Sequence, residues 1–161
     1  IINFGHVGEV TVVAPGINGK MSEFNAALGL LQLKYIDNAL ASRKIIDSAY
    51  RDRLRGVKGI HCLSDTNEMV ANYSYFPILV REDYPLTRDD LYDKLKEIGV
   101  YTRRYFYPLI TEFPMYRGLP SANHENLQVA SAASKKILCL PIYPDLPLEM
   151  VEKITQFIAA Q

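Results

Sequence analysis

The hydrophobic positions of this chain change period along its length, and each change marks a structural boundary. Glu9 to Ala14 is a short β-prone run that stops at the turn pair Pro15-Gly16, followed by Asn18-Gly19. From there Met21, Phe24, Leu28, Leu31 and Tyr35 recur at spacings of three and four. The period continues through Ile36, Leu40, Ile46 and Tyr50 until Gly56 ends it. So long a helical pattern, interrupted at Gly29 and weak near Asn38, predicts two coaxial or kinked helices. Arg43, Asp47 and Arg51 have the spacing of i,i+4 charge pairs on its outer face.

Beyond Ile60 the pattern becomes strand, turn and shorter helix. Ile60 to Leu63 and Tyr73 to Val80 are predicted strands, with Pro77 pushing the second towards a sheet edge or a bulge. Thr87 and Asp90 make a capping box, Leu91, Leu95 and Ile98 form one apolar stripe, and Gly99 supplies the stop of the next helix. Val100 to Tyr105 reads as a strand, and Pro108 to Pro120 as a long loop carrying Phe113, Met115 and Tyr116. A helix over Leu127 to Ile137, a strand over Leu138 to Ile142 and a last helix after Pro147, with Val151, Ile154 and Ile158 on one face, complete the chain. The order β-β-α-β-α-β-α predicts an α/β fold, a small sheet with helices packed mainly on one face. The division expected is 1–56 for the segment dominated by long helices and 57–161 for the small α/β domain.

Composition narrows the function classes. With 161 residues, 48% hydrophobic and 22% charged, the chain can bury about two-thirds of its unfolded surface, and neither a spanning helix nor intrinsic disorder fits. Eighteen basic side chains balance eighteen acidic ones, so no global field draws it to nucleic acid or an anionic membrane, although a small anion can still bind locally. Cys62 and Cys139 lie in apolar runs without a Cys-x-x-Cys spacing, which suits buried thiols in a reducing compartment such as the cytoplasm. The opening Ile1-Ile2-Asn3-Phe4 has neither an initiator Met nor a charged leader and reads as a cut end, which would place further residues upstream.

Catalytic motifs are scarce. Gly-x-Gly-x-x-Gly, the phosphate-loop signature, His-Glu-x-x-His and Gly-x-Ser-x-Gly are all missing, and His6, His61 and His124 have no metal-like spacing. Glu23 and Asn25 fit ordinary helix-start polar groups. Two segments carry more. Gly16-Ile17-Asn18-Gly19-Lys20 precedes a long helix, where unpaired N–H groups favour a phosphate or carboxylate; a plain turn is the competing reading. Thr102-Arg103-Arg104-Tyr105-Phe106-Tyr107-Pro108 gathers two guanidinium groups and three rings. Strand alternation would put Arg103, Tyr105 and Tyr107 on one face, a binding face, with Arg104 opposite and Phe106 in the core. The competing reading is a strand that merely alternates core rings with solvent-facing arginines.

The run from Gly16-Ile17-Asn18-Gly19-Lys20 through Met21-Ser22-Glu23-Phe24-Asn25-Ala26-Ala27-Leu28-Gly29-Leu30-Leu31-Gln32-Leu33 resembles the signature of the DegT/DnrJ/EryC1/StrS nucleotide-sugar aminotransferases. The resemblance continues through Thr102 to Leu109 and Leu138-Cys139-Leu140-Pro141-Ile142-Tyr143-Pro144, and corresponds to the C-terminal part of such an enzyme. It implies an aspartate-aminotransferase-like fold (PLP fold type I), residues 1–56 being the end of the large domain with interface helices. It further implies a homodimer, pyridoxal 5′-phosphate as cofactor, and amino transfer from an amino acid such as glutamate to a keto group of a nucleotide-linked deoxysugar. Asn18 is then expected to reach the cofactor phosphate of the other subunit, and Arg103, Tyr105 and Tyr107 to border the nucleotide-sugar pocket. Many relatives have histidine at the positions of Tyr105 and Ile110, so the sugar contacts differ here. The Schiff-base lysine, the aspartate for the pyridine nitrogen and the ring-stacking aromatic all lie upstream of the matched segment, and Lys20 is not that lysine. No catalytic or metal-binding residue is therefore assigned to this chain, and the fragment alone is expected to be inactive. The rival expectation is a stand-alone α/β metabolite-binding or dimerisation module without catalysis.

Overall fold

In the computed structural model, which describes residues 5–8, 10–64 and 70–161, the chain divides into two units, residues 1–38 and 39–161. The readings that involve Ile1 to Phe4 and Glu9 fall outside the described residues. The first unit opens with a minimal antiparallel hairpin, β1 (His6–Val7) and β2 (Thr11–Val12). The predicted strand shrinks to two residues. A single helix, α1 (Glu23–Leu54), follows. Two helices were expected, but Gly29 and the stretch around Asn38 stay helical. A glycine in a helix costs about 1 kcal/mol relative to alanine and does not by itself end it.

The two ends of α1 differ in character. Met21, Phe24, Leu28, Leu31 and Tyr35 are all at least 50% exposed, so the apolar stripe that predicted the first part of the helix has little cover among the described residues of its unit. In the second unit α1 buries Ile46, Asp47, Tyr50 and Leu54. The charge pairs therefore differ from expectation. Asp47 lies on the buried face with Arg51 at 2.7 Å, while Arg43 donates to the Ala39 carbonyl at 3.4 Å instead of pairing with Asp47.

The second unit is built on an antiparallel sheet of β3 (Ile60–Cys62), β4 (Phe76–Val80), β5 (Arg103–Arg104) and β6 (Ile137–Leu140), in the spatial order β3-β4-β6-β5. Three helices complete it: α2 (Arg88–Glu97), α3 (Gln128–Lys136) and α4 (Leu148–Ala159). Register sets Phe76 opposite Leu140, Ile78 opposite Leu138 and Val80 opposite Ile60, and these residues share one face. That face joins Ile46, Tyr50 and Leu54 of α1, Leu91 and Leu95 of α2, and Val151, Ile154 and Ile158 of α4 in one core. Tyr50 stacks on Phe76 with centroids 4.7 Å apart and donates its hydroxyl to the Pro141 carbonyl at 3.0 Å. β6 is buried along its whole length, and its Ile137 and Cys139 occupy the opposite face.

Pro77 lies in an interior strand whose register with β6 is unbroken, at neither the sheet edge nor the bulge expected. The β3–β4 pairing stops at Cys62 opposite Ile78, so on that side Pro77 stands just past the last pair and its missing N–H interrupts no ladder bond there. The capping box of α2 is present. Thr87 Oγ1 accepts from the Asp90 N–H at 3.1 Å, and Asp90 accepts from the Thr87 N–H at 3.2 Å. At the other end Val100 N–H reaches the Leu95 carbonyl and Gly99 N–H the Lys96 carbonyl, closing the helix.

Candidate substrate and cofactor surface

Chemistry at the Thr102–Pro108 segment starts from how briefly the sheet holds it. The strand expected from Val100 to Tyr105 is reduced to Arg103 and Arg104, paired with Cys139 and Leu138 of β6. Phe106 has φ 46°, a left-handed backbone that breaks strand alternation, and it is 58% exposed. Its expected place in the core is therefore wrong. The strict alternation used to group Arg103, Tyr105 and Tyr107 does not extend past Arg104.

Each of the three residues nevertheless lies at the surface or close to it. Arg103, on the face opposite the core, is exposed and has no ion-pair partner among the described residues. Tyr105 is half-buried, edge-on to Tyr75 at 5.2 Å and tilted against Phe106 at 4.6 Å. Tyr107 is exposed at one side, and the Arg88 guanidinium covers its ring at 4.6 Å. Beneath Arg103, burial pushes the Cys139 thiol up to about 11 against a smaller opposing pull from the arginine charge. Cys62, expected to be buried, is only partly so, and burial raises its thiol as well.

Arg104 faces the other way, towards α2. Its Nε bonds Asp89 Oδ1 at 2.6 Å and its guanidinium covers the Tyr92 ring at 3.9 Å. Burial raises the Asp89 pKa, but the Arg104 hydrogen bond and the charges of Arg88 and Arg104 outweigh it, so the carboxyl ends below the usual range. Its stabilising contribution is present above about pH 4 and lost as pH falls through that depressed value. Sequence reasoning missed Arg88, Asp89 and Tyr75, because no spacing rule brings a helix start or a pre-strand loop to this segment.

Asn18 belongs to the first unit and is exposed, between the hairpin and α1. The helix start is satisfied separately, since Ser22 Oγ accepts from the Asn25 N–H at 3.3 Å. That leaves the Asn18 carboxamide exposed as a neutral donor of the kind that bonds a phosphate oxygen. Three cavities of the second unit, of about 460, 400 and 320 Å³, are lined by other residues; the smallest includes Tyr75, which touches Tyr105. No group of three metal-capable side chains occurs among the described residues, and none of their helices is long and apolar enough to cross a membrane.

A family profile described as the DegT/DnrJ/EryC1/StrS aminotransferase family matches residues 3–159. The chain is 53% identical over 156 residues to the dTDP-4-amino-4,6-dideoxy-D-glucose transaminase of Escherichia coli, covering 97% of this chain and 42% of that protein. The enzyme of the same name from Shigella dysenteriae is 40% identical, with the same coverage of both chains. The solved structure of DesI in the presence of its TDP-sugar product superposes with a TM-score of 0.83 at 28% identity, over 98% of this chain and 40% of that one. The chain thus spans about two-fifths of the length of these relatives.

Proposed function

The chain belongs to the DegT/DnrJ/EryC1/StrS aminotransferase family, and on that premise we propose that it is the C-terminal part of a pyridoxal-phosphate-dependent transaminase acting on a nucleotide-linked deoxysugar. The amino group leaves an amino acid, for which glutamate is the natural candidate, as that donor becomes a keto acid. It arrives at a keto carbon of the sugar, whose oxygen departs as water. The sugar class follows the name of the 53% identical relative: a dTDP-linked 4-keto-6-deoxyhexose as acceptor, which becomes the 4-amino-4,6-dideoxy sugar. The rival reading, a binding module without catalysis, draws no support from the family match.

Pyridoxal phosphate, when bound, supplies the carbonyl that carries the amino group between substrates and the electron sink for proton removal. The residues of this chain then bind and orient. Asn18 donates its carboxamide N–H to a phosphate oxygen of the cofactor in the partner subunit of a homodimer. Arg103 neutralises the substrate diphosphate, Tyr105 offers its hydroxyl to the sugar, and Tyr107 presents a ring face and a hydroxyl. The observation that carries this reading is the exposed Arg103 guanidinium, without an ion-pair partner among the described residues, followed along the chain by Tyr105 and Tyr107 just past β5.

Stopped-flow measurement of the two half-reactions in the full-length protein is the test. Arg103→Ala, Tyr105→Phe and Tyr107→Phe raise the nucleotide-sugar KM or slow that half-reaction, and leave the amino-donor half-reaction nearly unchanged. Normal nucleotide-sugar kinetics in all three would remove this surface from the binding site. Asn18→Ala weakens cofactor affinity by about 1.5–3 kcal/mol, the worth of a hydrogen bond to a charged acceptor. Mixing it with a variant lacking the Schiff-base lysine puts both lesions in one site of a heterodimer and leaves the other site whole. No recovery of activity on mixing would rule out action across the interface.

A further inference from the structure

Two residues of sheet pairing and a left-handed Phe106 cannot by themselves fix where Tyr107 stands. Other contacts must hold the segment, and they converge on the start of α2. Arg88 is the first residue of that helix, where the positive helix end disfavours a cation, yet its side chain is only 2% exposed. Burying a guanidinium there is costly unless its partners are good. Its Nη1 donates to the carbonyls of Ser134 at 3.0 Å and Ile137 at 3.3 Å, at the end of α3, where the helix terminus is negative. Its Nε lies 2.9 Å from Asp89 Oδ1 but makes no aligned hydrogen bond, and its planar face covers Tyr107. The same Asp89 oxygen takes the aligned bond from Arg104 at 2.6 Å, and Arg104 covers Tyr92.

We propose that Arg88 and Asp89 are positioning residues for the nucleotide-sugar surface: Arg88 holds the Tyr107 ring from behind, and Asp89 ties Arg104, and with it β5, to the α2 terminus. One carboxylate lies against two guanidinium groups, so its loss breaks the Arg104 bond and leaves two like charges facing each other, while Arg88 keeps its bonds to the Ser134 and Ile137 carbonyls. Without the Asp89–Arg104 tie the stretch between β5 and Pro108 is freed at its β5 end. Arg103 and Tyr105, neither of which touches Asp89, shift with it.

This inference rests on the binding role proposed for Arg103, Tyr105 and Tyr107, and the experiment separates the two. In the full-length protein Asp89→Asn keeps the shape of a side chain that is 54% exposed and removes its charge. The expected result is a nucleotide-sugar KM raised about five- to thirty-fold, with kcat and the amino-donor half-reaction within about twofold, and rescue by Asp89→Glu. Arg104→Gln cuts the same link from the other side and gives the same split. An unchanged KM with a lowered Tm, or equal damage to both half-reactions, overturns the positioning role. If Arg103→Ala, Tyr105→Phe or Tyr107→Phe alters nucleotide-sugar kinetics while Asp89→Asn and Arg104→Gln do not, only the positioning fails; if all three are themselves normal, the binding surface fails with it.

Discussion

Tyr50→Ala destabilises the second unit by about 3–5 kcal/mol, the cost of emptying a large aromatic site in a packed core. Tyr50 is fully buried, its ring stacks on Phe76 of the central strand β4, and its hydroxyl reaches the Pro141 carbonyl beyond the end of β6. One side chain of α1 thus clamps the two central strands. Tyr50→Phe keeps the ring and loses only the hydrogen bond, about 1 kcal/mol. Both variants also remove an ionisable phenol, which matters in alkali. Burial, and then the charge of Tyr143, raise the Tyr50 phenol above its ordinary value, and burial pushes Tyr84 up to about 12. A phenol raised in the folded state contributes stability that is whole below about pH 10 and lost as pH climbs towards the folded pKa. Urea titrations at pH 7 and above 10 check both points: Tyr50→Phe flattens the alkaline loss, and an Ala variant within 1 kcal/mol of the parent would refute the clamp.

Gly59→Ala ranks next, at about 2–5 kcal/mol. Gly59 has φ 77°, where a β-carbon costs about 1–2 kcal/mol. That carbon would also overlap the backbone nitrogen and Cα of Tyr84, adding about 1–3 kcal/mol of overpacking. Tyr84 cannot withdraw, because its hydroxyl is bonded to the Ile158 carbonyl at 2.7 Å and the Gly59 carbonyl accepts from Arg81 N–H at 2.8 Å. Gly56 provides the control: its φ is 82°, but nothing stands where its β-carbon would be. Gly56→Ala bears only the backbone cost, so the difference between the two denaturation midpoints isolates the close approach. Equal midpoints would contradict it.

What could be read from the sequence divides by range. Capping, helix stripes and stops are local, so α2, α3 and α4 fall where periodicity and the Thr87 and Gly99 signals put them, and the elements follow one another along the chain in the order read. The family resemblance rested on motif runs and needed no tertiary contact. Several of the failures come from tertiary contacts or from backbone turns that no pattern announces. Asp47 became a buried partner because the sheet covers that side of α1, and Pro77 is interior although the β3 pairing ends one residue short of it. Phe106 left the core because the chain turns left-handed one residue after Tyr105. Arg88 was invisible as a functional candidate for the same reason, since its partners Ser134, Ile137 and Tyr107 lie on other segments of the chain.

The stretch between Pro108 and α3 runs through three short 3₁₀ turns, Ile110–Glu112, Pro120–Ala122 and His124–Leu127. Both of its ends are pinned, the first by the pairing of β5 with β6 and the second by the Arg88 bonds to the carbonyls closing α3. Doubling the length of a flexible loop between fixed ends costs only about 0.6 kcal/mol. The closure cost of an insertion there is therefore small, beyond whatever turn bonds it breaks. A lineage could swap this stretch for others without having to re-evolve the frame that holds it.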